Sequence, residues 1–529
     1  MPAAAQKAST LLQRITQLTS SPLLKHSTVG VEVYDLTAHK TLVAINADKL
    51  FTAGSTTKLI TEGTALALLG EDYRFHTRVY ATGSIAGDGT LHGDLVLVAS
   101  GDPNLSARVE DDDDTLAFSN SDHSYAGVLP GKSVPGDPMQ VFKELAMGVV
   151  RSGIWRIRGH VTVDASLFPS NRVEPGTHTT LSPVVLNDSV IDVIATPASS
   201  AGGPVSIQVS PALPYLKVIN KVRTGKPESD AELQFVSDVA APDGSHTVIL
   251  EGSVPAGGDT AQAAYKVKDP VLFATEGFRE ALRWAHVELD DEREDPAAEG
   301  TAAQPPAGAP AERKLVAEHV SPPFKEEVKL TLKVSQNLHA ATTPCLLGAI
   351  LGHGSTDAFQ KGLALERRFL SDAGLDPESV SQLDGEGGVG SAFSPGFMVR
   401  YLAYVSRQPY GRTFFDALPV LGRDGTLVGM LPDSPAAGHV HAKTGSYVVA
   451  NSLDHGVMLL GKGLVGYVDA KNGHRLIFAA YVNLVPLHSM QGVTSIGEML
   501  CEIAELIYQD APPAAAAPRT PSHRKARRH

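Results

Sequence analysis

Leu11, Leu12, Ile15 and Leu18 recur at the three- and four-residue spacing of one helix face, so the chain is expected to open with an amphipathic helix. The period then changes to two. TVGVEVYDL and TLVAINAD alternate apolar with polar residues, which predicts a hairpin joined around Thr37 to Lys40 and the start of an antiparallel sheet. Leu59, Ile60, Gly63, Leu66, Ala67 and Leu69 return to helical spacing and stop at Gly70, predicting a helix over 56–69 with Ser55 at its N-terminus.

From 73 to 268 the texture is one of short β-rich pieces, among them RVYATGSI, GTLHGDLVLVAS and HTVILEGSV, separated by Gly, Pro and Asp turns. This region is expected to be an insertion of one or two mainly β domains. Helical patterns return at PVLFATEGFREALRWAHVEL and QNLHAATTPCLLGAILG. Between them, 290–312 is acidic, then Pro/Ala-rich, and has no apolar face, so a flexible surface loop is expected. GVMLLGKGLVGYV, interrupted by Lys462 and glycines, reads as strand, turn, strand. LIFAAYVNLV reads as a strand and GVTSIGEMLCEIAELIYQ as a terminal helix, while 511–529 reads as a disordered basic tail.

A chain of 529 residues, 43% of them apolar, can bury a large core in two or more domains. A net charge of -13 opposes a broad nucleic-acid or anionic-membrane surface. Cys345 and Cys501 alone make neither a disulfide framework nor a four-cysteine metal site. No apolar run reaches the length of an ordinary transmembrane helix, and no secretory signal peptide is visible at the start.

The chemistry begins at TAGSTTKLIT, where Ser55 and Lys58 stand three positions apart and so share a helix face. A serine here is ordinarily a cap. The same place also suits a nucleophile: a helix N-terminus stabilises negative charge, a desolvated lysine can act as base, and Ala53 and Gly54 leave room for substrate. Two further groups follow in order: Ser335, Gln336 and Asn337 in LKVSQNLHA, then Lys443, Thr444, Gly445 and Ser446 in HAKTGSYVV. Each alone has a plain reading as cap, turn or exposed strand residue. Their joint occurrence in this order is improbable by chance. Other candidates are weaker: His439 and His441 lack a third zinc ligand, Glu110 to Thr115 reads as a solvated acidic loop, GEGGVG lacks the G-K-[ST] of a phosphate loop, and no G-x-S-x-G occurs.

S-x-x-K, S-x-N and K-T-G together resemble the signature of penicillin-binding proteins and serine β-lactamases. The long stretch between Lys58 and Ser335 makes the chain most similar to the D-alanyl-D-alanine carboxypeptidase/endopeptidase branch, the class C low-molecular-mass penicillin-binding proteins. ASGDPNLS, GHVTVDASLF, LNDSVIDVIATP, LDGEGGVGSAFSP and LPVLGRDGTL extend the likeness over roughly residues 25 to 510. Two positions depart from it: Glu386 stands where a serine is common, and Gln336 where aspartate is frequent.

The resemblance implies an α/β (α+β) transpeptidase-like catalytic domain, an antiparallel sheet flanked by a helical cluster, built from 1–72 and 269–510 around the 73–268 insertion. It implies Ser55 as nucleophile, Lys58 as its base, and Ser335 with Lys443 as a proton relay to the leaving amine. Asn337 and Thr444, with Lys443, would bind substrate, and Gly445 and Ser446 would line the site, the N–H groups of Ser55 and Ser446 holding the oxyanion. The implied activity is serine D-alanyl-D-alanine carboxypeptidase, with endopeptidase action, on peptidoglycan stem peptides outside the cytoplasmic membrane. β-Lactam antibiotics are the implied covalent inhibitors, with no metal, organic cofactor or nucleic acid. A β-lactamase or esterase on the same fold, and a non-enzymatic cell-wall-binding protein, are the alternatives.

Overall fold

Five strands form the central sheet: β1 (Thr28–Asp35), β2 (Lys40–Ile45), β3 (Val440–Asn451), β4 (Gly456–Asp469) and β5 (Arg475–Leu487). Their order is β2-β1-β5-β4-β3 and every pair is antiparallel, so the two ends of the chain meet where Val31 faces Ala480. The computed structural model describes residues 10–510 apart from 107, 111–113, 128–130, 291–312 and 353–355. The loop expected at 290–312, beyond its first residue, the tail at 511–529 and the middle of the acidic run at 110–115 lie outside the described residues.

Helices α1 (Leu11–Thr19), α2 (Lys58–Leu69), α3 (Phe324–Val334), α4 (Asn337–Ile350), α5 (Ala358–Asp372), α6 (Pro395–Val405) and α7 (Met490–Asp510) cover the sheet. Alternate strand positions point to opposite faces. Val465, Tyr467, Ile477, Ala479 and Tyr481 join the core shared with α2 to α6, whereas Leu464, Val468, Leu476, Phe478 and Ala480 join the core beneath α1 and α7. With both faces buried, β4 and β5 carry continuous apolar runs instead of the alternation of a half-exposed strand. Every residue of α2 from Lys58 to Leu66 is buried, which explains its weak amphipathicity and places a lysine in the interior.

β4 is one continuous strand of 14 residues, not the strand, turn, strand expected from its glycines. A Cβ at Gly461 would lie 2.5 Å from Thr52 O, and one at Gly463 would lie 2.5 Å from Tyr481 Cε1. These glycines admit close neighbours and do not turn the chain.

The insertion also differs from expectation. The strand Arg313–Val320 pairs with His76–Thr82, and Phe273 and Phe278 of the helix Pro270–Trp284 lie in the same core as Leu95, Leu97 and Phe142. The inserted body is therefore an α/β unit carrying a second helix, Gln140–Arg151, together with a β-rich part whose own small core includes Val193, Val222, Leu250 and Val254. On this packing we propose limits of 76 and 320, beginning slightly later and ending well beyond the 73–268 read from texture. No helix among the described residues is long and apolar enough to cross a membrane.

Candidate active site

Ser55 lies in a 3-10 turn, Gly54–Thr57, and α2 begins only at Lys58. The helix expected from 56 therefore starts two residues later, and neither the turn nor α2 has a side-chain cap bond at its N-terminus. The Ser55 hydroxyl is instead engaged by Lys58, whose Nζ is 2.9 Å from Oγ. The turn is pressed against β3. Gly54 has φ +50°, a Cβ there would come within 2.7 Å of Ser446 N, and a Cβ at Gly445 would clash with Ala53 O. Glycine at both positions lets the Ser55 turn and the strand edge share one backbone contact.

Lys58 is fully buried and its Nζ also lies 2.7 Å from Asn337 Oδ1 and 3.3 Å from Glu386 O. Those two oxygens can only accept. A neutral amine thus spends its two N–H groups on them and turns its lone pair to the Ser55 hydroxyl. Burial lowers the Lys58 pKa, opposed in part by the acidic groups around it, Glu174 and Asp384 among them. A base is favoured when its amine form is accessible, and desolvation acts in that direction.

Ser335 joins α3 to α4 in the left-handed region, φ 63°. A non-glycine residue there is strained. Its carbonyl accepts from Tyr125 OH at 2.6 Å, and the Gln336 side chain caps α4 by accepting from Leu338 N at 3.0 Å. Gln336 Nε2 donates to Asp122 Oδ1 and Ser124 Oγ, both at 3.1 Å. Gln336 therefore caps α4 in place of its neighbour Ser335, leaving the Ser335 hydroxyl to accept from Lys443 Nζ at 2.8 Å. Lys443 is fully buried, and burial, then the nearby charges of Lys58 and Lys462, push its pKa well below that of a free lysine.

Thr444 Oγ1 bonds Thr426 Oγ1 at 3.0 Å, and Ser446 Oγ accepts from Lys462 Nζ at 2.7 Å. The eight residues singled out in the sequence thus converge on the junction of α2, the α3–α4 turn and β3. Four others, Tyr125, Glu174, Thr426 and Lys462, touch them without having been expected. Thr426 lies in LPVLGRDGTL, where the signal was present, whereas Tyr125 and Glu174 come from the inserted body and had none. His439 stacks on Tyr508 and His441 on Phe415, so the two rings have separate aromatic partners.

Behind the α3–α4 turn lies a buried ionic knot. Asn187, Asp188 and Ser189 all have φ near 50°, and Asp188 accepts from Arg108, from His123 Nε2 at 2.8 Å and from His339 Nε2 at 3.1 Å. Asp122, His123 and Asp188 are close enough to share an ion, but Arg108 already bonds both carboxylates and the other His123 nitrogen faces Asp192. Cationic Arg108, His123 and His339 offset the acids, and paired charges are what burial demands. The knot ties the inserted body to α4, two residues from Asn337.

A helical cluster on a five-stranded antiparallel sheet, with one serine–lysine pair and one lysine–serine pair at their junction, defines a serine hydrolase of penicillin-binding-protein and β-lactamase-like fold. The solved structure of penicillin binding protein 4 from Haemophilus influenzae has this fold, with a TM-score of 0.69 at 18% identity, covering 94% of this chain and 99% of that one. The chain belongs to the D-Ala-D-Ala carboxypeptidase 3 (S13) family, whose profile matches residues 11–500, and its activity is that of a serine-type D-Ala-D-Ala carboxypeptidase. It is 27% identical to a D-alanyl-D-alanine carboxypeptidase of Actinomadura sp. (strain R39), over 89% of this chain and 82% of that one. It is 22% identical to a D-alanyl-D-alanine carboxypeptidase of Haemophilus influenzae, over 86% and 85%.

Proposed function

We propose that Ser55 Oγ attacks the carbonyl between the two terminal D-alanines of a peptidoglycan stem peptide while Lys58 Nζ accepts its proton. The observation that carries this reading is the paired geometry: Lys58 Nζ stands 2.9 Å from Ser55 Oγ, and Lys443 Nζ stands 2.8 Å from Ser335 Oγ. The first pair activates the nucleophile. The second passes a proton to the nitrogen of the departing D-alanine as the peptide C–N bond breaks, leaving an acyl ester on Ser55. The N–H groups of Ser55 and Ser446 stabilise the oxyanion formed on attack, a contribution of about 3–4 kcal/mol per donor in other hydrolases. Asn337 orients the substrate amide, and Thr444 with Lys443 receives the terminal carboxylate. Water then cleaves the ester and restores the serine proton. A cross-linked peptide, with a larger leaving amine, follows the same path in endopeptidase action.

β-Lactams acylate the same hydroxyl, a reading supported by a structure of Haemophilus influenzae penicillin binding protein 4 complexed with a β-lactam. The substrate lies outside the cytoplasmic membrane, and the enzyme works there. Incubation with a D-Ala-D-Ala peptide should release D-alanine from the wild-type protein and none from Ser55→Ala. Rapid penicillin turnover without D-alanine release would favour a β-lactamase, and neither release nor covalent labelling would favour a binding protein.

A further inference from the structure

Glu386 occupies the one position of the site where a serine was expected, and nothing in the reaction above uses it. It is 4% exposed, in the turn that follows Asp384, whose Oδ1 accepts from Glu386 N at 3.0 Å, Gly387 N at 2.6 Å and Gly388 N at 3.1 Å. This turn lies against the nucleophile's own: a Cβ at Gly387 would clash with Gly54 O. On its other side a Cβ at Gly388 would meet Pro175 at 3.4 Å, which brings in the inserted body and Glu174.

Glu174 is fully buried and well supplied with donors, accepting from Gly176 N, from Thr177 N at 2.6 Å, from Thr177 Oγ1 and from Asn337 Nδ2 at 3.0 Å. The Glu386 side chain bonds it directly. Two carboxyl groups in contact cannot both ionise at neutral pH. The donors around Glu174 mark it as the anion. Glu386 Oε2 meets no donor among the described residues, as expected of the neutral partner, and burial together with Glu174 pushes Glu386 up to about 10.

The contacts close a ring: Lys58 Nζ to Asn337 Oδ1 at 2.7 Å, Asn337 Nδ2 to Glu174 Oε1 at 3.0 Å, Glu174 to Glu386 through their carboxyls, and Glu386 O back to Lys58 Nζ at 3.3 Å. The Glu174 acceptor fixes the Asn337 amide so that its oxygen, and not its nitrogen, faces Lys58. We propose that Glu174 and protonated Glu386 are positioning residues that hold Lys58 and Asn337 in register and set the pH at which Lys58 becomes a base. The proposal rests on the reading of Lys58 as the base for Ser55.

Lys58 is surrounded by Glu174, Glu386, Asp384 and Glu62, with Lys443 across the cleft, and Lys266, Tyr125 and Tyr447 also face the acid pair. Of these, Glu174 is the anion in the ring itself. Its charge favours the ammonium form of Lys58, so removing that charge lets the amine form appear at lower pH.

The test is the rate of acylation by benzylpenicillin from pH 5 to 10 for wild type, Glu174→Gln, Glu386→Gln, Glu386→Ala and Ser55→Ala. Glu174→Gln keeps an oxygen for Asn337 but loses the charge, and its acid limb should move down by half a pH unit or more. Glu386→Gln offers Glu174 an N–H in place of the carboxyl proton and should stay within about threefold of wild type at pH 7, whereas Glu386→Ala should fall at least tenfold. A Glu174→Gln limb superimposed on that of wild type, or equal losses in Glu386→Gln and Glu386→Ala, would overturn the proposal. Labelling of Ser55→Ala would instead overturn the nucleophile assignment, so the two failures are distinguishable.

Discussion

Replacing Thr444 by valine isolates one hydrogen bond in the proposed carboxylate pocket. Valine matches the shape of threonine, so no cavity opens, and the change removes only the hydroxyl that bonds Thr426 Oγ1 at 3.0 Å. In the bound state Thr426 can donate to the Thr444 oxygen while Thr444 donates to the substrate carboxylate. A hydrogen bond to a charged group contributes roughly 1.5–3 kcal/mol, which corresponds to about a ten- to hundredfold loss in kcat/KM for a peptide with a free C-terminus. A C-terminally amidated peptide has already lost that anion, so Thr444→Val should change its turnover by less than about threefold. Measuring D-alanine or D-alaninamide release for both substrates on both proteins yields the coupling between hydroxyl and carboxylate. Equal losses for acid and amide would refute the reasoning and move the carboxylate elsewhere in the cleft.

Two further outcomes are expected. Lys58→Ala should slow penicillin acylation far more than about tenfold, the effect of about 1.4 kcal/mol of barrier, with Ser55 still present; a stopped-flow rate within tenfold of wild type would remove Lys58 from the role of base. Glu366 is buried in the helical cluster and desolvation pushes it up to about 8, so the folded state holds its proton while the unfolded chain has lost it. That penalty is absent below about pH 4.5, grows as pH rises and levels off above about 8. Glu366→Gln should therefore gain stability relative to wild type between pH 5 and 8, on the order of 3 kcal/mol in urea titrations, and a pH-independent difference would contradict the assignment.

The parts of this site that were legible in the sequence are those whose chemistry lies within a few residues. Ser55 and Lys58 share a turn, Ser335 and Asn337 flank one residue, and Lys443 to Ser446 follow one strand edge. Glu174 was not legible, because only tertiary packing brings it within 3.0 Å of Asn337. The same holds for Tyr125 and for the ionic knot around Asp188, whose partners come from distant segments. Periodicity read the hairpin of β1 and β2 and the terminal helix correctly, since each has one face against the core. It failed at β4, where Gly461 and Gly463 serve close packing and mimic a turn. Val141, Phe142, Leu145, Ala146 and Val149 did carry helical spacing within the insertion, but the strand signals on both sides masked it.

The central claim is that Ser55 is the acylated residue. Its most direct test is intact-mass measurement after incubation with benzylpenicillin, followed by peptide mapping of the adduct. One penicilloyl group should be found on the peptide containing Ser55, and Ser55→Ala should keep the unmodified mass under the same conditions. An adduct on any other residue, or one that persists in Ser55→Ala, would contradict the account.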